Sequence, residues 1–557
     1  MKLIAPILLV LMFLIHTSSL WKMETRALGS LYDPMAHAAM PGWYCKNVLT
    51  WNLHTDRYLA PVGVDLSTNF DSPFPLILTC PFTPLGSRVQ FHFFGALQVA
   101  LILLSAWLVA RELFASSAWR LAYVMFAWWT GFYIFRVQEH LNLLSGLWGF
   151  QLLLWCALTV RFENRRNALT RGAAIGLVLA GSFHNVAMLT LPIVILVGFA
   201  YFQQRKGFAN LLLAGVIATC LFGALFAPSI YAYLTRDLPR LASQRDYMNF
   251  DLLSFFLPWI DHPAYSWIAL PKWDNLAHEK FNSVDALVWM GLALTLFHRG
   301  FWRNGFHRTL LAIGIISLIC SLGSNFEFNG VAVFPNPLEP VLRSLPPFSL
   351  SRSPARFATV TVLCLTFLAF ALARAKWSNR TWFEKLGWSL VIWSIIVGPI
   401  LNSRILMPTS DIDSWLPRTA LSKIAAAPED KLVAHIPSAL MLDQTQNFLQ
   451  LYHHHPITAG YVAYTVYEEP TLSKLAQDPV LGRLSCETPE VPFNGDMQKL
   501  RVHLTHLKVG FIILNSASLT PTCTVLLSWF NELLQQPWLH RLETKGTYAV
   551  WEIDPLK

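Results

Sequence analysis

Three small groups of residues have the types and spacing to do chemistry, and each lies at the edge of an apolar stretch. The first is Leu31-Tyr32-Asp33-Pro34. A carboxylate there can take a proton from an acceptor hydroxyl as another bond breaks, which is general-base work. It can equally cap a helix, since Asp ahead of a proline makes a good helix start. The second is Arg136-Val-Gln-Glu139-His140-Leu-Asn142. It sets a carboxylate beside an imidazole where charges are costly and usually functional, ordinary interfacial polarity being the plainer reading. The third is Ser351-Arg352-Ser353-Pro354-Ala355-Arg356-Phe357. Two guanidiniums can bind phosphate oxygens through paired, charge-assisted hydrogen bonds, or simply snorkel to the interface.

Other polar residues carry weaker signals. His184-Asn185 falls inside the predicted fifth helix, where it either lines a pocket or, the commoner case, makes a hydrogen bond between helices. His453-His454-His455 reads as a loop run, because strand alternation leaves only two rings on one face and no carboxylate or cysteine lies nearby. No phosphate-binding lysine loop, dinucleotide glycine fingerprint or zincin helix is present, so no metal ligands are assigned.

The elements that must position these groups follow from composition. The chain has 557 residues, 54% hydrophobic and 13% charged. That balance marks a polytopic, all-α membrane protein. The net charge of +9 lies in short basic runs between apolar segments, not on one clustered face, so nucleic acid is not an expected partner. Apolar runs occupy residues 3–20, 91–110, 119–135, 147–160, 173–189, 191–202, 208–233, 284–297, 310–322, 358–373 and 386–401. They predict about eleven transmembrane helices. Only Thr190 and Pro192 divide the fifth run from the sixth.

Arg111, Arg120, Arg161, Arg165, Arg166, Arg171, Arg205, Lys206, Arg299, Arg303, Arg308, Lys376, Arg380 and Lys385 all fall on one side if the helices alternate. That side is cytoplasmic, which places the N-terminus inside and residues 21–90, 235–283, 324–357 and 403–557 outside. A cleaved signal peptide is the alternative for the first run.

The segment 21–90 is far longer than the usual connection of about 4–6 residues and reads as the working part. Within it Tyr44, Val48 and Trp51 share a helical face, the spacing of a helix lying on a membrane surface. The aromatic stretch from Phe255 to Pro263 reads either as a lipid-handling surface segment or as simple packing. After the membrane part, residues 1–402, the composition turns soluble. Strands at 431–436, 509–514 and 547–553 with helices at 439–451 and 523–534 predict a small external α/β domain over 403–557. Cys45 and Cys80 share the first external loop, and Cys486 and Cys523 the last segment. In an oxidising compartment these predict two disulfides, free thiols being the alternative.

Together, Asp33-Pro34, Pro61-Val-Gly-Val-Asp65, Pro81-Phe-Thr-Pro-Leu-Gly86, His140-Leu-Asn-Leu-Leu144 and Arg352-Ser-Pro-Ala-Arg356 resemble the GT-C class of integral-membrane glycosyltransferases over residues 1–402. The likeness is strongest to its bacterial, inner-membrane branch. It implies transfer of a sugar from a polyprenyl-phosphate donor to an acceptor outside the membrane, with Asp33 as base. Many relatives carry a second acid beside the first, where Tyr32 stands here; Glu139 is the candidate second carboxylate, and a divalent cation stays open without a clear site. Arg352, Arg356 or His140 would stabilise the leaving phosphate. The rivals are a lipid or glycan transporter and a non-catalytic protein of the same fold assisting envelope assembly.

Overall fold

The computed structural model describes residues 4–29, 37–48, 54–61, 63–66, 72–130, 133, 136–137, 140–235, 249–256, 282, 284–295, 299–345, 353–401, 407–437, 445–458, 478, 480–481, 496–519 and 531–556. Asp33, Glu139, Arg352, Cys486 and Cys523 lie outside these residues.

Each apolar run carries a helix, because a chain in lipid must satisfy its backbone internally. In order they are α1 (Ile4–His16), α2 (Ser87–Leu113), α3 (Ser117–Trp128), α4 (Ser145–Thr159), α5 (Arg165–Leu179), α6 (Phe183–Gln204), α7 (Phe208–Thr235), α8 (Ala286–Thr295), α9 (Gly305–Ser321), α10 (Ala358–Trp377) and α11 (Phe383–Leu401). Five spans among the described residues are long and apolar enough to cross a membrane: Ser87–Leu113, Leu141–Thr159, Phe183–Gln204, Phe208–Tyr231 and Pro354–Trp377. The chain is an integral membrane protein.

One helix boundary differs from the sequence expectation. The chain does not break at Thr190; α6 runs straight through Pro192. The break falls at Gly181-Ser182. A Cβ on Gly181 would lie 2.6 Å from the Trp148 ring, and the Ser182 hydroxyl accepts the His184 amide as an N-cap (3.1 Å). His184 and Asn185 therefore open α6 instead of sitting inside α5. The paired helices α5 and α7 approach through small residues: a Cβ on Gly172 would lie 2.4 Å from the Ala214 carbonyl oxygen, and one on Gly176 2.8 Å from that of Ala218.

Of the three residues expected to share a face in the segment after α1, two pack against protein, and Trp51 lies outside the described residues. Tyr44, on the short helix Met40–Asn47, is buried, and Val48 packs against the main core. Cys45 is disulfide-bonded to Cys80. Strand β1 (Arg26–Leu28) pairs antiparallel with β6 (Thr409–Asp411), which follows the last helix of the bundle. Between them come the hairpins β2 (His54–Thr55) with β3 (Val64–Asp65), and β4 (Asn325–Phe328) with β5 (Val331–Pro335).

Beyond β6 lie the helices α12 (Arg418–Ala425), α13 (Gln446–His453) and α14 (Met497–His506). They surround a four-stranded sheet of β7 (Leu432–Ile436), β8 (Val509–Asn515), β9 (Leu539–Lys545) and β10 (Tyr548–Ile553), in the order β7-β8-β10-β9. Alternation along the strands gives the sheet two apolar faces. Val433, Phe511, Ile513 and Val550 join the core shared with the helix bundle. Leu432, Ala434, Ile512 and Trp551 build a second core with Leu500 and Leu504 of α14.

Candidate functional site

Arg356 stands on a short 3₁₀ turn, Pro354–Phe357, immediately before α10. It is 1% exposed. Asn282 holds this turn from outside: its amide donates to the Ala355 carbonyl (3.1 Å), and its carbonyl accepts the Thr359 hydroxyl (3.1 Å). The Arg356 Nη1 lies 3.1 and 3.0 Å from Nδ1 and Nε2 of His184. A guanidinium can only donate, so the imidazole accepts and the planar fork is held in one direction.

His184 is in turn tied to the segment that follows Arg136. Its neighbour Asn185 donates to the Val178 carbonyl (2.8 Å) and to the Ser145 carbonyl (3.3 Å). The Ser145 hydroxyl donates to the Asn142 carbonyl at 2.7 Å. Ahead of that turn stands a second buried arginine: Arg136, 1% exposed, places Nη1 3.2 Å from Nδ1 of half-buried His140. Tyr133, one helical turn earlier, bonds through its hydroxyl to Nε2 of His16 at the end of α1. The His16 carbonyl accepts the Met407 amide (2.8 Å). These contacts gather the end of α1, the starts of α4 and α6 and the turn before α10 around two arginine–histidine pairs.

Burying one cation costs several kcal/mol unless geometry and partners repay it, so two buried arginines at the rim of a bundle are a costly arrangement. Among the residues expected to bind phosphate, His140 and Arg356 belong to this one network, and Arg352 lies outside the described residues. Asp33 and Glu139 also lie outside, but the chain on either side of Asp33 is fixed. The Gly29 amide donates to Pro408 (2.8 Å), and Ala38, Ala39 and Met40 are buried. Arg136 and His184 are additions to the set. The first was legible as the i, i+4 partner of His140. The second was hidden by the misplaced helix break.

Among the described residues, no group of three His, Cys, Asp or Glu could hold a metal ion.

The bundle and its rim define a membrane protein with the fold of the GT-C glycosyltransferases. The chain is similar to the arabinofuranosyltransferase AftD from Mycobacteria, with a TM-score of 0.61 and 12% identity, over 99% of this chain and 40% of that one. It thus spans well under half the length of that enzyme. The likeness to the Archaeoglobus fulgidus oligosaccharyltransferase in its apo form has a TM-score of 0.49 at 12% identity, over 97% of this chain and 73% of that one. That to ArnT from Cupriavidus metallidurans has 0.43 at 12%, over 97% of each. At such identities the likeness concerns the fold, and the two scores below 0.5 carry no weight. Residues 3–394 match the family described as "Domain of unknown function (DUF6311)", and the chain belongs to it. No curated protein matches the sequence.

Proposed function

We propose that this protein is an inverting glycosyltransferase of a bacterial inner membrane, moving a sugar from a polyprenyl-phosphate donor to an extracytoplasmic acceptor. The observation that carries the reading is the buried Arg356–His184 contact, set in one network with Arg136 and His140. A leaving lipid phosphate gathers negative charge as the glycosidic bond breaks, and donors already aimed at it stabilise the transition state more than the ground state. Arg356, Arg136, His140 and Arg352 are assigned to that phosphate. His184 is a positioning residue, holding the Arg356 fork.

Asp33 is assigned the base that deprotonates the acceptor hydroxyl, with Glu139 as the second carboxylate. The sugar passes through an oxocarbenium-like state, and its anomeric carbon gains the acceptor oxygen as the phosphate oxygen departs. The proton goes to Asp33. The segment 403–557 lies outside the membrane in this scheme and positions the acceptor, and the N-terminus is cytoplasmic. Cys486 and Cys523 are assigned a second disulfide.

The test is single-turnover transfer of radiolabelled sugar from polyprenyl phosphate by the purified protein in nanodiscs, compared with Asp33→Asn. Asparagine caps a helix about as well as aspartate but accepts no proton. Transfer should fall by about 10²–10⁴-fold at unchanged thermal stability. Near-normal transfer by the variant would remove Asp33 from the mechanism and move the base to Glu139. A wild-type protein that never transfers, while still binding the lipid phosphate, would overturn the enzyme reading.

A further inference from the structure

The hairpin that follows α9 is unusual for an external loop. Its turn, Asn329-Gly330, has both residues at positive φ, the conformation an Asn-Gly pair adopts at low cost. The Asp251 carboxylate accepts from both turn amides, at 3.1 and 2.5 Å, and so clamps the tip. The one charged side chain of the hairpin, Glu327, turns inward and accepts from Asn249 (3.1 Å). What remains outside is apolar. Every residue of β5 is exposed, Val331 by 64%, Val333 by 60% and Phe334 by 52%. Residues 328–338 hold no charge at all. Leu338, Val341 and Leu345 then expose a further apolar face along the short helix Glu339–Ser344. Nearby, exposed Phe256 stacks on Trp289 of α8 at 5.1 Å.

Water and hydrocarbon are both poor surroundings for this surface. An apolar edge strand in water is a template for aggregation. Deep in hydrocarbon, the outer backbone edge of β5 would lose every hydrogen-bond partner. The headgroup–acyl boundary meets both demands, since side chains reach the acyl chains while the strand edge keeps its water. Continuity points the same way: the hairpin leaves directly from α9, an apolar helix that already exposes Ile315.

We infer that β4–β5 and the Leu338, Val341 and Leu345 face form a bilayer-docking surface, lying in the membrane interface at this end of the bundle with lipid as its occupant. The inference needs α9 to lie in the bilayer and does not need the transferase reading. Its base touches the candidate site: a Cβ on Gly323 would meet the Pro354 ring at 3.3 Å, next to the turn that carries Arg356. Docking therefore sets the depth at which Arg356 meets lipid phosphates, a consequence that does rest on that reading.

The test places an environment-sensitive fluorescent amino acid at Val333, and separately at Val331, in the full chain. Val502 of α14, also exposed, is the control. The protein is reconstituted in phosphatidylcholine–phosphatidylglycerol nanodiscs with acyl chains brominated either near the headgroup or near the methyl end. Blue-shifted emission, quenched several-fold more by the shallow bromines than at Val502, is the expected result. Emission at the water position without quenching would overturn the proposal, as would a blue shift without quenching, which would mean cover by protein. Stronger quenching by the deep bromines would also overturn it. Transfer activity does not enter the readout, so the two readings fail separately.

Discussion

Two groups of histidines among the described residues stand in opposite settings. At the rim of the bundle, His184 and His140 each face a guanidinium. In the segment after the bundle, His435, His453 and His455 are buried beside one another, with ring centroids 6.4 Å apart for the first pair and 6.2 Å for the second. There the His455 amide donates to His453 Nδ1 (3.1 Å), while the Nε2 atoms of His435 and His453 have no hydrogen-bond partner among the described residues. One setting concentrates positive charge and directs it. The other excludes charge: burial holds His435 down at about 3, and burial together with the neighbouring histidines pushes His453 well below its ordinary value. The same side chain thus aims a cation in one region and fills a neutral core in the other.

The largest effect that would break this contrast comes from Arg356. Arg356→Ala should remove charge-assisted hydrogen bonds worth about 1.5–3 kcal/mol and cut donor use roughly ten- to hundredfold. Arg356→Lys should recover only part, because an ammonium cannot chelate. Donor titration of single-turnover transfer measures this. Unchanged donor affinity in the alanine variant would place the phosphate elsewhere.

Acid should act on the other region first. Because His435 and His453 bind protons more weakly folded than unfolded, their contribution is complete above the unfolded value of about 6.5 and is lost as pH falls below it. Each costs about 1.4 kcal/mol per pH unit below that point, until its own folded value is reached. His454 beside the cluster adds to this: its burial first, then the nearby Arg57 and Lys46, disfavour a proton on its ring. The same place holds β2–β3 to the sheet region, through Ile457 to Arg57 (2.9 Å), Ala60 to Ile457 (3.0 Å) and Gln450 to Arg57 (2.8 Å). Hydrogen exchange should therefore quicken at residues 54–61 and 445–458 near pH 5, before it changes in α2 or α10. Uniform quickening across the chain would defeat the prediction.

The smallest effect sharpens the same point. His435→Leu replaces a neutral buried ring by an apolar group of similar size, and should change stability at pH 7.5 by less than about 1.5 kcal/mol. It should also flatten the acid dependence. Thermal unfolding at the two pH values decides it, and an unchanged acid slope would clear His435 of the role.

Much of the bundle was legible in the sequence because lipid allows few backbone solutions, so apolar runs had to be helices. Pro192 misled for the same reason: a proline that would end a soluble helix is tolerated inside a membrane one, and the true stop was the quieter Gly181-Ser182. Strand β9 was missed because it is an edge strand with polar residues on both faces, as His540 and Arg541 show. Tyr44 and Val48 have the spacing of a surface helix, but periodicity does not say whether lipid or protein covers the apolar face. In the site, Arg356 and His140 stood out as charges in the wrong place. Their network did not, because Arg356 and His184 are 172 residues apart and only folding joins them.

The pairing of β1 with β6 bears on how the molecule is made. Gly29 and Ser410 meet across 381 residues of chain. At synthesis rates of about 5–20 residues per second, β1 waits roughly 20–80 s for its partner. Through that time β1 has no partner strand. Its pairing is completed only after the last helix of the bundle has been inserted, so a chain that stalls earlier is left with an open edge. An unpaired edge of that kind is a feature quality-control proteases can read, so the pairing of β1 with β6 doubles as a check that the whole bundle has been made.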